Sequence, residues 1–269
     1  MKLSNILSRR NRILLRELVV TDFKLRYQGS ALGVLWSVLK PLFLFAILYL
    51  VFDRFLQLGR DIEHFPVYLL LGIVLWTFFA EATNLGLQSI VSRGALIRKI
   101  NFPKYIIVIS GTVSSLINLV INLGVVLVFC LFNGVDFHWH ALLVPLLIVE
   151  LYVFALAIAF FLAALNTKLR DVGYLWEIFM QAAFYATPIL YPLQMILNQM
   201  PEAAKILMLN PVAQIIQDVR NLLVTPQTIT IWELFSDWKV IIPFVIIAIT
   251  AVLGAVYFRR NSKYFAEDI

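Results

Sequence analysis

Six stretches of this sequence stay apolar for about as long as a helix needs to cross a bilayer, and this limits the possible folds more than any motif does. They lie near residues 34–55, 65–91, 105–132, 141–165, 174–190 and 240–258. A ~30 Å hydrocarbon core takes roughly 20 residues of helix. An unpaired backbone N–H or C=O in lipid costs several kcal/mol, so runs of this kind cross as helices. The fifth is short and ends at Thr187-Pro188. Composition points the same way. Of 269 residues 61% are hydrophobic and 14% charged, against about 25% charged in a soluble domain. Such a chain cannot coat a water-soluble surface, and it is too rich in aliphatics and aromatics to be disordered. The single cysteine, Cys130, excludes an intrachain disulfide. The expected fold class is therefore an all-α polytopic membrane protein with six transmembrane helices.

The 22 Lys and Arg are divided unevenly between the loops. One side collects Lys2, Arg9, Arg10, Arg12, Arg16, Lys24 and Arg26, then Arg93, Arg98, Lys99 and Lys104, then Lys168 and Arg170, and finally Arg259, Arg260 and Lys263. The other side holds Arg54, Arg60, Lys205, Arg220 and Lys239, while Lys40 falls inside the first span. Cytoplasmic loops carry the excess of cations, so both termini are expected in the cytoplasm. The net charge of +6 then reports topology rather than nucleic-acid binding. Residues 1–32 lack the apolar core of a signal peptide, so the first span is expected to persist. The chain reads as a cytoplasmic amphipathic segment, 1–33, and one membrane domain, 34–269, with a long external segment at 191–239.

Residues 11–27 look helical. Leu14, Leu15, Leu18, Val19 and Phe23 recur near a 3.6 period among Arg12, Arg16, Lys24 and Arg26. A basic amphipathic helix suits the bilayer interface, and it suits docking to a soluble partner equally. Gly29 and Gly33 stand at a spacing that permits close helix approach, or they form a joint. Lys40-Pro41 lies early in the first span, where proline kinks a helix. The loop 92–104 carries four cations and no acid, which fixes topology. It also carries Ile97, Ile100, Phe102 and Pro103, which need something to bury them. A short helix pressed on a cytoplasmic protein would do so.

Two polar stripes run within the spans. Thr77, Glu81, Asn84 and Gln88 share one helical face, and Ser110, Ser114, Asn118 and Asn122 repeat every four residues. Polar groups in lipid are costly and face protein or water. Hydrogen bonding between helices accounts for them, and so does the wall of a polar path. Glu150 is ambiguous in the same way. Beyond Tyr191, residues 193–198 and 203–209 are too short to cross. Asn210-Pro211 opens a plausible helix over 212–224, with Asn210 as its cap. These pieces read as re-entrant or interfacial helices packed on protein.

The sequence has no GxxxxGK[ST] loop for a nucleotide, no HExxH and no GxSxG. His64, His138 and His140 lie in expected external loops, where solvated imidazoles are the simpler reading. No metal site and no catalytic residue is expected.

Arg26-Tyr27-Gln28-Gly29-Ser30-Ala31-Leu32-Gly33-Val34-Leu35-Trp36, Lys40-Pro41, Phe102-Pro103, Leu169-Arg170-Asp171, Thr187-Pro188-Ile189-Leu190-Tyr191 and Asn210-Pro211 occur in an order that resembles the membrane subunit of ABC-2-type polysaccharide exporters. Those exporters carry O-antigen, capsule or teichoic-acid chains. The resemblance spans nearly the whole length. It implies a homodimer in a bacterial inner or plasma membrane, served by two copies of a separate cytosolic ATPase that binds ATP and Mg. This chain would bind no cofactor, and its substrate would be an undecaprenyl-linked glycan. It implies an interface helix and intake gate at Arg12, Arg16, Arg26, Tyr27, Gln28, Gly29 and Gly33. Arg93, Arg98, Lys99, Ile100, Phe102, Pro103 and Lys104 take the place of the ATPase-coupling loop. Pro188, Tyr191, Pro192, Asn210 and Pro211 fall in the external gate. Aromatic rings give sugar C–H faces contact without locking them, and amides bond hydroxyls. Tyr49, Phe52, Phe78, Glu81, Asn84, Asn118, Asn122, Phe179, Phe184 and Tyr185 are the candidate channel lining. Two alternatives compete. One is an ABC-2 exporter of a small drug or lipid. The other is a membrane enzyme acting on lipid-linked sugars through Asp22, Glu81, Glu150, Glu177 or Asp218.

Overall fold

The computed structural model describes residues 8–60, 62–100 and 102–268. Lys2 and the start of the 1–33 segment lie outside these, as does the side chain of Tyr27. The described elements are helical: α1 (Arg9–Tyr27), α2 (Leu35–Tyr49, continued by a π turn, Leu50–Phe55), α3 (Phe65–Ser92), α4 (Gly94–Lys99), α5 (Tyr105–Phe132), α6 (Val144–Lys168, after a 3-10 turn, Trp139–Leu143) and α7 (Val172–Ala186). There follow α8 (Leu193–Gln199), α9 (Pro201–Met208), α10 (Pro211–Leu223), α11 (Ile231–Leu234), α12 (Ile242–Asn261, after a 3-10 turn, Trp238–Ile241) and α13 (Phe265–Asp268).

Proline sets several of the starts. It stands in the first turn of α3, α6, α9, α10 and α12, where its missing N–H costs nothing and its φ is already helical. At α10 the Asn210 side chain accepts a hydrogen bond from the Val212 N–H at 3.1 Å, the cap that the sequence suggests.

Five helices, counted with their flanking turns, are long and apolar enough to cross a membrane: α2, α3, α5, α6 and α12. The fifth expected stretch differs. It forms α7, which has 15 residues. At 1.5 Å per residue α7 is about 22 Å long, short of the ~30 Å core. Helix ends at Thr187, whose backbone is extended, because the ring of Pro188 disfavours a helical residue before it.

α3 is the centre of the bundle. It packs on α5 and α6, α6 packs on α12, and α10 wedges against the starts of α3 and α6. Helices in lipid gain little from the hydrophobic effect and rely on close packing. Two crossings show this. A Cβ on Gly86 would lie 2.3 Å from the Ala159 Cβ, and one on Gly254 would lie 2.3 Å from the Ala157 carbonyl oxygen.

α1 runs alongside the first half of α5. The Asn11 amide reaches the Tyr105 hydroxyl at 3.4 Å, Asp22 pairs with Arg93, and Arg26 pairs with Glu81. Gly29 and Gly33 lie outside the helices with φ of +77° and +52° and open space around them. They form a joint, not a helix-packing seam. The four basic segments gather at one end of the bundle. Leu14, Ile97, Phe102, Phe258 and Phe265 share one apolar cluster there, and Ser92 and Arg170 line one groove. Ile97 and Phe102 are thus buried by the chain's own tail rather than awaiting a partner, and only Ile100 of that apolar set stands exposed, at 50%.

Candidate translocation path

The polar edge of α3 bonds to neighbouring helices and also faces open space. The Glu81 carboxylate accepts from the Arg26 guanidinium and from the Asn118 amide, the latter at 3.0 Å. The Asn122 amide donates to the Ser37 carbonyl at 3.1 Å and to the Asn118 carbonyl at 2.9 Å. Beside these bonds lies a cavity of about 640 Å³, lined among others by Arg26, Lys40, Phe78, Glu81, Asn84 and Asn122. A second groove of about 710 Å³ opens on the other flank of α3, among Asn84, Gln88, Asn166, Arg170 and Glu177. Asn84 borders both. The stripe that the sequence leaves with two readings therefore satisfies both in geometry. The Asn118 amide of α5 ties that helix to Glu81 of α3, the Asn122 amide ties it to the first turn of α2, and the remaining polar edge of α3 lines the two open spaces.

The candidate aromatics separate into three places. Phe78 lies at the cavity. Phe184 of α7 tilts against Trp76 at 5.9 Å, while Phe179 and Tyr185 stand bare, 56% and 67% exposed. Tyr49 and Phe52 lie toward the far end of α2, where Tyr49 stacks on Phe45 at 5.6 Å with the Arg54 guanidinium 5.8 Å from its ring. They are not part of the polar cavity. Sequence reading overlooked Trp176, whose indole N–H donates to the Thr83 hydroxyl at 3.3 Å and whose ring stacks on Phe179 at 5.2 Å. Its signal was a tryptophan one turn before Phe179 on the same short helix.

At the basic end, Arg98 and Lys99 project from the last turn of α4 and are exposed, with Pro103 and Lys104 half-buried behind them. Arg93 is committed within the chain, bonding both Asp22 and, at 3.2 Å, the Ser110 hydroxyl. Arg12, Arg16, Gln28 and Gly29 are exposed along α1 and the joint that follows it.

The opposite end is organised by a residue that the sequence presents only as one external cation. Arg220 of α10 is fully buried. Its guanidinium donates to the carbonyls of Tyr68 (3.0 Å), Pro188 (2.6 Å) and Ile189 (2.8 Å) and to the Gln217 side chain (3.0 Å), and it lies 3.5 Å from the centre of the Tyr68 ring. It clamps the turn after α7 to the start of α3. The signal was its register, four residues after Ile216 on the apolar stripe of α10. Burial lowers its pKa to about 10, so it keeps its charge at neutral pH. Of the expected gate residues, Pro188 is held by this clamp, Asn210 and Pro211 start α10, Pro192 precedes α8, and the Tyr191 hydroxyl donates to the Tyr185 carbonyl at 2.9 Å.

The five carboxylates named for an enzyme do not form one site, although Glu150 of α6 and Asp218 of α10 lie close enough for their charges to repel. Asp22 and Glu81 are each held by an arginine, and Glu177 borders the open groove. Asp218 accepts from the Gln214 amide at 2.6 Å, and burial pushes its pKa up to about 6, with the Glu233 carboxylate adding to the rise. Among the described residues no three His, Cys, Asp or Glu gather as a metal site.

Comparison with known proteins gives one consistent result. The family described as ABC-2 type transporter matches residues 13–224. The chain is 30% identical over 259 residues to the O-antigen export system permease protein RfbA of Myxococcus xanthus, covering 95% of each chain. It is 29% identical over 251 residues to a protein of the same name from Klebsiella pneumoniae, covering 91% of each, and 26% identical to a second from that organism over the same shares.

Proposed function

The chain belongs to the ABC-2 type transporter family, and from that premise we propose that it is the membrane-spanning permease of an ATP-driven exporter of a polysaccharide of the O-antigen kind. It is a multi-pass membrane protein and a transport subunit, with ATP hydrolysis supplied by a separate partner. The observation that carries the reading is its likeness, over nearly the whole of both chains, to permeases named for O-antigen export.

The finer assignments rest on geometry. The exposed Arg98, Lys99 and Ile100 at the end of α4 suit a docking loop for two cytosolic ATPases. α1 supports this role, because two ion pairs to Asp22 and Arg26 bind it to the loop and to α3. A push on the loop would move the Glu81 side of the polar cavity. Both termini then lie in the cytoplasm, and the carrier is an undecaprenyl-linked glycan whose diphosphate meets Arg12, Arg16 and Arg26. The bare faces of α2 and α7, with Phe43, Ile47, Leu175 and Ile178 exposed, suit contact with a second copy. α7 then acts as the sixth, shortened crossing. Phe179, Phe184, Tyr185 and the amides of α3 and α5 face the polymer between the copies, and residues 191–239 close the outer side.

Two measurements test this reading. Affinity purification from cells that also express the neighbouring genes should bring down a nucleotide-binding subunit; a stable, transport-active chain without one sinks the exporter reading. Replacing Arg98 and Lys99 by glutamate should leave lipid-linked glycan on the cytoplasmic face while the subunit still hydrolyses ATP. Export at the unmodified rate would remove the coupling role from this loop.

A further inference from the structure

A cavity of about 800 Å³ opens at the basic end on a flank of the bundle that the polar path does not use. It lies between the start of α5, the last turns of α12 and the side of α6. Its walls include Ile109, Phe160 and Val256, and its lining carries Lys104, Arg259 and Lys263 with no acidic residue. The three cations make no ion pair among the described residues. They mark the ends of two spans, Lys104 immediately before α5 and Arg259 in the last turn of α12, so they sit at the depth where a bilayer's headgroups lie. α5 also begins here with no acidic residue in its first turn and no side-chain cap. The Ile106 and Ile107 N–H groups are bonded to the Pro103 and Lys104 carbonyls, so the positive end of the helix dipole, with no acid beside it, adds only modestly to the potential of the three cations.

We propose that this cavity is a binding site for an anionic glycerophospholipid of the surrounding membrane, with the phosphate among Lys104, Arg259 and Lys263 and one acyl chain along Ile109, Phe160 and Val256. Basic pockets between spans on the cytoplasmic side suit anionic headgroups. A zwitterionic lipid would bring an ammonium to a site already holding three cations. The bound lipid ties α5 to α12, which share no direct ion pair at this end. It thereby braces Phe102 and Phe258, whose burial holds the α4 loop to the tail. The inference rests on the chain spanning a bilayer and not on what it transports.

The test uses the full chain in nanodiscs of equal parts phosphatidylglycerol and phosphatidylcholine, followed by extraction and native mass spectrometry of retained lipid. Phosphatidylglycerol should dominate. Each cation near an anionic headgroup contributes roughly a fivefold preference, so the triple variant Lys104→Gln, Arg259→Gln, Lys263→Gln should lose retention by on the order of a hundredfold. Ser262→Glu, a half-buried position on the same rim, is the second variant should the triple one fail to fold, and it should lower retention in the same direction. Equal retention of both lipids, or unchanged phosphatidylglycerol on Ser262→Glu, overturns the proposal. So does a polyprenyl diphosphate glycolipid that copurifies from cells and displaces phosphatidylglycerol; that result would make this a substrate site.

Discussion

α2 and α3 are both apolar enough to cross a membrane, yet 78% of the residues in the most apolar window of α3 are buried and only 11% of those in α2. Apart from its polar edge, α3 is enclosed by α5, α6, α2, α10 and α7 and, through Arg26, by the end of α1. α2 touches α3 along one edge and shows Phe43, Leu44, Ile47 and Leu50 to the outside. α7 resembles α2 in this, with Met180 its one buried residue among those described. Apolar composition therefore says that a helix avoids water without saying what replaces the water. For α3 the replacement is protein packed at fixed distances. For α2 and α7 the chain itself supplies little of it.

The sharpest way to break this contrast is Arg220→Ala. Removing the clamp leaves the carbonyls of Pro188 and Ile189 without this donor in a buried place, and deprives that of Tyr68 of its second one; each buried group left unsatisfied costs about 1–3 kcal/mol. Thermal unfolding in detergent should show loss of the folded state, or of stable insertion. A variant with an unchanged Tm would mean that the outer end is held by something else. Next comes Gly72→Ala, since a Cβ there would lie 2.3 Å from Arg220 Nη2. The arginine must shift, at about 1–3 kcal/mol. Combining the two substitutions should cost less than their sum, which would assign the effect of Gly72 to the clamp.

Acidity gives a smaller effect on the same side. An acid whose folded pKa is raised stabilises the fold when protonated. The contribution of Asp218 is therefore complete below the ordinary carboxylate range and is lost as pH rises through about 6. The free energy of unfolding should fall by on the order of 1–2 kcal/mol between pH 5 and pH 7.5, read as a lower Tm, and Asp218→Asn should flatten that slope. A slope that persists in the variant would assign it to other groups. The smallest effects belong to the bare side. Phe43→Ala, Ile47→Ala and Ile178→Ala should each leave the stability of the isolated chain within about 0.5 kcal/mol, while cross-linking between copies falls. A large loss of intrinsic stability would show that these faces are packed within one chain after all.

Much of the local arrangement was legible in the sequence. The stripes on α3 and α5 were readable because polar residues at helical spacing inside apolar runs have few explanations. Asn210 was readable because a capping amide before proline has a local cause. The sorting of cations agreed with the four basic segments meeting at one end. Arg220 was not legible as a clamp, since its partners are backbone carbonyls 31 to 152 residues away. Nor was Arg93, which looked like part of a free basic loop but bonds Asp22 and Ser110.

The sequence by itself determined the class of fold, the limits of most spans, the two polar stripes and the resemblance on which the functional reading stands. Each of these follows from residue type and short-range spacing. Tertiary structure decided the rest: that α7 stops at 15 residues, that Gly29 and Gly33 make a joint, that α1 is pinned along α5, and that Ile97 and Phe102 are buried by the tail. It also decided which apolar helix is wrapped and which is bare. Where a span carries no polar stripe, as in α2, every face is apolar, so no periodicity marks the buried one, and only contacts between distant parts of the chain distinguish protein from lipid.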